Sequence, residues 1–332
     1  MKIIHVGVGG FGQGWVRWIR ENRRASVAAM VDVNPDALTR ACEIGGYDPD
    51  ICYTSLDEAL AAVSADALVC VTPPEHHRQP VVKALQAGLD VISEKPMAET
   101  LSDCKAMLRA ARDTQHTYVV SQNYRYRPEM WTLADLVRRG AIGDIGQVRV
   151  EFFKGVDFGG GFRHEMPYPL LIDMSIHHFD LIRFITGLDA VTVRGEAWNP
   201  PWSNYRGDCS NNVVFGMNNG ARVMYNASWC AKGDHCSWNG NWHIEGSEGC
   251  LTCVNDEITL HKAPELYRVT SSRRVKPKTL RKQGQAYILN EFIKARSGGR
   301  APATNVFDNI RSVAMVFAAV KAVKSGRRVT VL

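Results

Sequence analysis

A short apolar run, Ile3–Val6, leads directly into a glycine-rich segment with the pattern GxGxxG. In such a segment the first glycine permits a tight turn, the second lets the backbone approach a pyrophosphate, and the third allows a helix to pack closely on a strand. The start of the following helix offers N–H groups and the positive end of its dipole to phosphates. The chain is therefore predicted to begin with a dinucleotide-binding unit whose cofactor contacts are Gly7, Gly9, Gly10, Phe11 and Gly12.

Asp32 ends the next apolar run, at about the 20-residue offset expected of the acid that binds the adenosine ribose. A carboxylate at this place accepts hydrogen bonds from the ribose hydroxyls and repels a 2′-phosphate. No arginine or lysine stands beside it to bind such a phosphate, because the residues that follow are Val33, Asn34 and Pro35. NAD is therefore predicted as the cofactor, with Asp32 as a ligand, and NADP is less favoured.

Strand-like and helix-like segments alternate over the first third of the chain. The strand-like runs are Ile3–Val6, Val27–Val31, Ala67–Val71, Asp90–Ser93 and Tyr118–Ser121. Alternation of this kind is typical of βαβ units in a parallel, doubly wound sheet. Residues 1–121 are therefore predicted to form an α/β Rossmann domain.

After Pro128 the rhythm changes to consecutive strands with few helices. Helical patterns are limited to Met130–Arg139, about Leu171–Thr186, Ala286–Arg296 and Phe307–Lys324. The strand-like runs are Gln147–Phe153, Val191–Ala197, Asn212–Phe215, Arg222–Ala231, Trp242–Glu245, Cys250–Val254 and Glu257–Lys262. Residues 122–332 are therefore predicted to form an α+β domain with an antiparallel sheet.

Composition excludes several classes of protein. Hydrophobic residues make up 45% and charged residues 22% of the 332 residues, which is typical of globular chains. No apolar run approaches the roughly 18 residues that cross a membrane, and the sequence enters a strand pattern at once rather than a secretory signal. The 9 cysteines, an odd number in a long chain, are interpreted as reduced thiols. We expect a cytoplasmic protein without a membrane partner.

The positive charge is concentrated in one segment. The formal net charge is +6, yet residues 268–282 carry seven basic side chains and no acidic one, so the rest of the chain is close to neutral. This distribution argues against a nucleic-acid-binding protein. A solvated loop or a subunit contact is the interpretation that we favour for the segment, because a run of charge specifies little by itself.

Polar residues follow two further strand-like runs, where parallel sheets bind their ligands. Thr72-Pro73-Pro74-Glu75-His76-His77 follows one run and Glu94-Lys95-Pro96 the next. We predict cofactor contacts from Thr72, Pro73, His77, Glu94 and Lys95. Lys95 could also lie against a substrate hydroxyl and lower its pKa, although a surface ion pair is the plainer interpretation.

A third polar cluster lies on the helix predicted near Leu171–Thr186. Asp173, His177 and Asp180 share one face of a regular helix, whereas His178 points elsewhere and is interpreted as a packing or capping residue. A carboxylate beside an imidazole suits proton transfer near neutral pH. The same groups can bind metals, but a metal would need a further ligand, so no metal is predicted.

Taken together, these motifs resemble the glucose–fructose oxidoreductase, inositol dehydrogenase and rhizopine-catabolism (Gfo/Idh/MocA) family over nearly the whole chain. The matching pieces, in family order, are the GxGxxG, the Thr-Pro-x-x-x-His that ends at His77, Glu94-Lys95-Pro96, Asn123-Tyr124-Arg125-Tyr126-Arg127-Pro128, and the Asp-x-x-x-His of Asp173 and His177. The resemblance implies a Rossmann domain followed by an open, mostly antiparallel sheet that forms homodimer or homotetramer contacts. It also implies a cis peptide bond between Lys95 and Pro96, since this bond is often cis in relatives.

The resemblance further implies a catalytic group of Lys95, Asp173 and His177. In this interpretation His177 takes the hydroxyl proton, Lys95 polarises the oxygen and Asp173 orients the pair, although the sequence leaves open which of Lys95 and His177 accepts the proton. The substrate residues that we predict are Lys95, Arg125, Arg163, His164, Asp173 and His177. Two departures from the family pattern bear on the substrate: Ser175 stands where many members have glycine, and the glycines at 159–161 lie further ahead of the helix than usual.

Three functions remain compatible with these residues. The leading one is an NAD-dependent dehydrogenase that acts on a secondary hydroxyl of a sugar, cyclitol or sugar derivative. The tryptophans and amides of the second domain suit a sugar ring, although packing in a core or interface is the plainer interpretation of any single tryptophan. The second is a redox-neutral enzyme that cleaves glycosides with tightly held NAD. The third is a non-catalytic sugar or NAD sensor of the same fold.

Overall fold

A computed structural model describes residues 1–331 of the chain and divides them into two compact units. The first unit comprises Met1–Asn123 and Lys282–Ile310, and the second comprises Tyr124–Arg281 and residues 311–331. The first boundary lies two residues beyond the predicted one. The return of Lys282–Ile310 to the first unit is a feature that the sequence did not indicate.

Helices and strands follow the predicted order over most of the chain. The strands are β1 (Lys2–Val6), β2 (Ser26–Val31), β3 (Cys52–Tyr53), β4 (Ala67–Cys70), β5 (Asp90–Ser93), β6 (Tyr118–Val120), β7 (Ile145–Phe153), β8 (Ala190–Trp198), β9 (Ser210–Met217), β10 (Arg222–Ser228), β11 (Asn241–Gly246), β12 (Gly249–Val254), β13 (Glu257–Lys262), β14 (Ser271–Val275) and β15 (Val329–Thr330). The α-helices are α1 (Gly12–Arg20), α2 (Pro35–Gly45), α3 (Leu56–Ala62), α4 (Arg78–Gln86), α5 (Leu101–Thr114), α6 (Pro128–Arg138), α7 (Phe162–Glu165), α8 (Ser175–Thr186), α9 (Gly284–Ser297) and α10 (Val306–Ser325).

The first unit contains a six-stranded parallel sheet in the order β3-β2-β1-β4-β5-β6. This is the strand order of a dinucleotide-binding Rossmann fold, and it confirms the predicted fold class. The central strands β4 and β5 are fully buried, and β1 is buried after Lys2, in keeping with their mainly apolar sequences. Helix α9 packs against α1 in the same unit.

The second unit contains a nine-stranded sheet in the order β14-β13-β12-β11-β7-β10-β9-β8-β15. The sheet is mostly antiparallel, as predicted, but β7 and β10 pair in parallel, with Val150 opposite Tyr225. Strand β14 lies inside the basic segment 268–282, where we expected a loop, and it pairs with β13. The segment forms a strand because the backbone of β13 pairs with it, and the basic sequence alone does not indicate this pairing.

The helix that carries the predicted acid–base residues does not begin as a regular α-helix. Leu170–Met174 forms a π-helix, and α8 begins only at Ser175. The hydroxyl of Ser175 donates to the carbonyl of Leu170 at 3.0 Å, five residues earlier, which suits the wider turn. The expectation that Asp173, His177 and Asp180 follow regular α-helical spacing was therefore wrong at its first residue.

Candidate functional site

The turn between β1 and α1 is shaped by two glycines. Gly7 has φ +82°, and a Cβ there would lie 2.7 Å from the carbonyl carbon of Val71. A Cβ on Gly12 would lie 2.0 Å from the carbonyl oxygen of Gly7. Since neither distance leaves room for a side chain, these two glycines serve the turn and the close packing that the sequence pattern indicated.

The carboxylate of Asp32 lies against this glycine turn. Its Oδ2 accepts from the backbone N–H of Val8 at 2.9 Å and of Gly9 at 3.2 Å, and its Oδ1 accepts from that of Asn34 at 2.9 Å. Beside the turn, Gly10 has no neighbouring atom within 4 Å of a virtual Cβ. The exposed backbone at Gly10 and the fixed carboxylate together fit the phosphates and ribose of a dinucleotide.

Lys95 lies in a loop after β5 whose backbone is fixed by His77. The ring nitrogens of His77 lie 2.7 Å from the carbonyl oxygen of Thr72 and 3.1 Å from that of Met97. His77 is fully buried, and burial lowers its pKa. It therefore connects the loops after β4 and β5, rather than presenting its ring to a ligand as predicted. The Lys95–Pro96 peptide bond is cis, as the family resemblance implied.

Glu94 is buried beneath the same loop. Its Oε1 accepts from the indole N–H of Trp15 at 2.9 Å and from the amide of Gln285 at 3.4 Å. Its Oε2 accepts from the backbone N–H of Lys95 at 3.1 Å. Burial raises the pKa of Glu94, and the indole of Trp15 together with the charge and backbone N–H of Lys95 opposes that rise. The predicted cofactor contact from this side chain is therefore replaced by contacts inside the protein.

In the second unit, His177 lies on the first turn of α8 and is 5% exposed. Its imidazole stacks on the ring of Tyr124 with centroids 3.9 Å apart and planes 11° apart. On the Tyr124 ring, the guanidinium carbon of Arg127 lies 3.4 Å from the centroid. Burial raises the pKa of Tyr124 and the Arg127 charge opposes the rise. The ring of His177 is thus held in one plane by stacking.

Asp173 and Arg163 form an ion pair in the second unit. The Nε of Arg163 donates to Oδ2 of Asp173 at 2.6 Å, and the guanidinium carbon lies within 4.9 Å of the ring centroids of both Phe158 and Phe162. Arg163 thereby neutralises the carboxylate and links the loop at 158–165 to the π-helix. The sequence had assigned Arg163 to substrate; its nearest charged partner in the structure is Asp173.

His164 lies beside Arg163 but points to a different partner. Its ring stacks on Tyr205 with centroids 4.7 Å apart, and Nε2 lies 3.4 Å from an oxygen of Asp157. The hydroxyl of Tyr205 donates to the carbonyl of Val156 at 2.6 Å. These contacts fix the loop that carries both predicted substrate residues.

Arg125, which we predicted to contact substrate, instead lies in the core of the second unit. Its Nε and Nη2 donate to the two carboxylate oxygens of Asp180, each at 2.6 Å. Asp180 also accepts from the hydroxyl of Ser312 at 2.8 Å. Arg125 is 4% exposed and Asp180 is 1% exposed. The predicted substrate contact of Arg125 was therefore wrong. Its carboxylate partner, Asp180, lies far away in the sequence, so the sequence did not indicate that the two charges pair in the core.

His178 is a packing residue, as predicted. Its Nδ1 lies 2.9 Å from the hydroxyl of Tyr225 and its Nε2 lies 3.2 Å from the carbonyl of Trp238. Complete burial lowers the pKa of His178 to about 3. The hydroxyl oxygen of Ser175 lies 3.0 Å from that of the same Tyr225. Ser175 and His178 therefore fix α8 on the sheet.

The structure adds four residues around the predicted site that the sequence interpretation missed. They are Trp15 and Gln285 in the first unit and Tyr124 and Arg127 in the second. Tyr124 and Arg127 belong to the same motif as Arg125, but the sequence interpretation gave a role only to Arg125. Nothing in the local sequence marks Gln285, because its contact with Glu94 spans 191 residues.

The Rossmann sheet, its glycine turn and the acid at the end of β2 define a dinucleotide-binding protein. The second unit adds a buried Asp173 and His177, which are groups that suit proton transfer. Comparison with known proteins specifies the family. Residues 1–122 match the oxidoreductase family with an NAD-binding Rossmann fold, Gfo/Idh/MocA, and residues 130–252 match a C-terminal domain of the same family. The chain belongs to the Gfo/Idh/MocA oxidoreductases.

Individual relatives match this chain over almost its whole length. An uncharacterised protein, y4oX, of Sinorhizobium fredii is 31% identical over 99% of this chain and 95% of its own length. A D-apiose dehydrogenase of Paraburkholderia graminis is 25% identical over 98% of this chain and 88% of its own length. The structure of an oxidoreductase from Agrobacterium radiobacter in complex with NAD⁺, L-tartaric acid and magnesium superimposes with a TM-score of 0.90 at 22% identity, covering 100% of this chain and 98% of that one. This last likeness concerns the fold.

Among residues 1–331, no helix combines the length and the apolar character that a lipid bilayer requires of a spanning segment.

Proposed function

We propose that this protein is an NAD-dependent dehydrogenase that transfers hydride between the nicotinamide and a secondary hydroxyl of a sugar, cyclitol or sugar derivative. The observation that carries the proposal is the contact between the Asp32 carboxylate and the glycine turn. A carboxylate fixed at this turn supports NAD over NADP, because it would repel a 2′-phosphate on the ribose. The D-apiose dehydrogenase named above supports a carbohydrate as the substrate class.

Bound NAD⁺ supplies the acceptor for a hydride from the substrate carbon. The proton of the same hydroxyl must go to a base, and we assign it to an imidazole nitrogen of His177, whose plane Tyr124 fixes. Lys95 polarises the hydroxyl oxygen with its ammonium group. Asp173 orients the reacting groups, while its ion pair with Arg163 fixes the carboxylate. Arg163 and His164 hold the neighbouring loop and are available to contact substrate hydroxyls.

The test follows NADH formation with purified protein, NAD⁺ and a panel of monosaccharides, cyclitols and glycosides. Lys95→Ala and His177→Ala should each retain NAD binding and lower turnover by about 10²–10⁴-fold, the usual contribution of general acid–base catalysis. Matched controls are Lys105→Ala and His76→Ala, both at exposed positions. Turnover at the wild-type rate in either catalytic variant would overturn the assignment.

The same assay separates the two alternative functions. A glycoside cleaved without accumulation of NADH would replace the dehydrogenase with redox-neutral chemistry. Ligand-induced thermal shifts without any turnover would point to a sensor. The names of the relatives reported above support neither alternative.

We also propose that the protein acts as a cytoplasmic homodimer or homotetramer assembled through the sheet of the second unit. Strands β9 and β10 alternate between buried residues and partly exposed ones, so the sheet has one face available for contact. Val214 lies on that face and is half-buried. Light scattering should show an oligomer that Val214→Arg dissociates; a monomeric wild-type protein would contradict the proposal.

A further inference from the structure

Two side chains contact the backbone of the loop on either side of Lys95. On the N-terminal side, Glu94 accepts from the backbone N–H of Lys95 at 3.1 Å. On the C-terminal side, His77 lies 3.1 Å from the carbonyl oxygen of Met97. The direction in which the Lys95 side chain leaves the loop is set by these backbone atoms. A displacement of about 1 Å at a reacting group is enough to lower a rate substantially.

The surroundings of Glu94 are unusual for a packing residue. The side chain is 6% exposed, and the donors that reach its carboxylate are the indole of Trp15, the amide of Gln285 and the amide of Lys95. Burying a carboxylate is costly unless hydrogen bonds replace its water. An apolar side chain would fill the same space at a lower cost, so a separate role is needed to explain a carboxylate here.

The donors connect three segments of the first unit to one another. Trp15 lies on α1, which starts at the glycine turn, and Gln285 lies on the first turn of α9. Both donate to the same oxygen of Glu94, and the other oxygen accepts from Lys95. The buried carboxylate of Glu94 therefore connects α1, α9 and the loop that carries Lys95.

We propose that Glu94, Trp15 and Gln285 are positioning residues for Lys95. They act through the Lys95 backbone and touch neither substrate nor cofactor. This inference rests on the proposed role of Lys95 in the reaction. It also gives the segment Lys282–Ile310 a function in the first unit, because α9 supplies Gln285 to the carboxylate.

The test compares Trp15→Phe with Trp18→Phe. The ring centroids of Trp18 and Trp15 lie 5.7 Å apart. Trp18→Phe removes a similar ring area, but in the described structure the indole that donates to Glu94 is that of Trp15. Trp15→Phe should lower kcat by about ten- to a hundredfold, the effect of losing a hydrogen bond to a charged group. The dissociation constant of NAD and the substrate KM should change less than twofold, and Trp18→Phe should retain the wild-type kcat.

A second readout does not depend on turnover. The rate at which acetic anhydride labels Lys95, measured by peptide mass spectrometry with Lys105 as the internal reference, reports the surroundings of its amine. Trp15→Phe, Glu94→Gln and Gln285→Leu should each change this rate at least threefold while leaving Lys105 unchanged. If Glu94→Gln fails to fold, the other two variants decide the question.

The two proposals fail in different ways. An inactive wild-type protein in which the variants still alter Lys95 labelling would remove the dehydrogenase but keep the positioning role. An active wild-type protein in which folded Trp15→Phe and Gln285→Leu leave both kcat and Lys95 labelling unchanged would overturn the positioning role. A fall in NAD affinity at constant kcat would do the same, because it would mean that Trp15 serves the cofactor turn instead.

Discussion

The ring of Tyr124 lies 3.9 Å from the imidazole of His177 at an angle of only 11°, with the guanidinium of Arg127 also over the tyrosine ring. Stacking of this kind fixes the plane of an imidazole without occupying its nitrogens. Arg127 is itself fixed, since it donates to the amide oxygen of Asn239 at 2.9 Å. The orientation of the proposed base is therefore set by residues on two other segments of the second unit, 124–127 and Asn239.

Tyr124→Leu is expected to lower kcat because it removes the stacking surface of His177. Aromatic pairs contribute about 0.5–1.5 kcal/mol beyond area burial, which corresponds to about a two- to tenfold fall. Tyr124→Phe keeps the ring and should retain most of the wild-type rate. Steady-state kinetics on both variants check this, and equal losses in the two would mean that the hydroxyl, not the stack, matters.

Asp32→Ala is expected to weaken NAD binding and to reduce the preference for NAD over NADP. The substitution removes both the proposed ribose ligand and the acceptor for the N–H groups of Val8 and Gly9. Asp32→Asn keeps an oxygen acceptor at the turn but loses the charge, so it should improve NADP binding with a smaller loss of NAD affinity. Calorimetric titration of both cofactors measures this. Unchanged affinities in both variants would exclude Asp32 from the ribose site.

Asp180→Asn is expected to destabilise the second unit strongly. The substitution leaves Arg125 buried without its bidentate carboxylate and weakens the contact from Ser312. Breaking a buried ion pair costs about 3–5 kcal/mol in the free energy of unfolding. Glu257→Gln is the control, since its ion pair with Arg274 is largely exposed and should contribute less than about 1 kcal/mol. Urea unfolding that shows equal losses for both would contradict the assignment of Arg125 to the core.

Local patterns in the sequence predicted the parts of the molecule that local physics determines. The glycine turn, the position of Asp32 and five of the six β-strands of the first unit depend on nearby residues, and they were placed within a few positions, whereas the two-residue strand β3 was missed. The fate of Arg125 depends on Asp180, 55 residues away, and no local pattern distinguishes a buried arginine from a ligand-binding one. The π-helix at Leu170–Met174 likewise depends on a contact between two residues of an otherwise helical sequence.

His5 gives the fold a built-in sensitivity to acid. It lies in the central strand β1, is completely buried, and neither ring nitrogen has a hydrogen-bond partner among the described residues. Burial lowers its pKa from 6.5 to about 3. Between these values the unfolded chain binds a proton that the folded chain does not bind. The free energy of unfolding therefore falls as the pH drops below about 6.5, and by pH 5 this histidine should account for about 2 kcal/mol of the loss.

His5→Leu removes the side chain that binds this proton in the unfolded chain, and it also removes an unsatisfied buried polar group. The variant should be at least as stable as the wild type at pH 8, and at pH 5 it should lose about 2 kcal/mol less of its free energy of unfolding. His178, whose pKa burial also lowers to about 3, remains in both proteins, so part of the acid sensitivity persists. Urea unfolding at the two pH values measures the difference, with His76→Leu at an exposed position as the control. Parallel stability losses in His5→Leu and the wild type would show that His5 is protonated, or reached by solvent, in the folded protein.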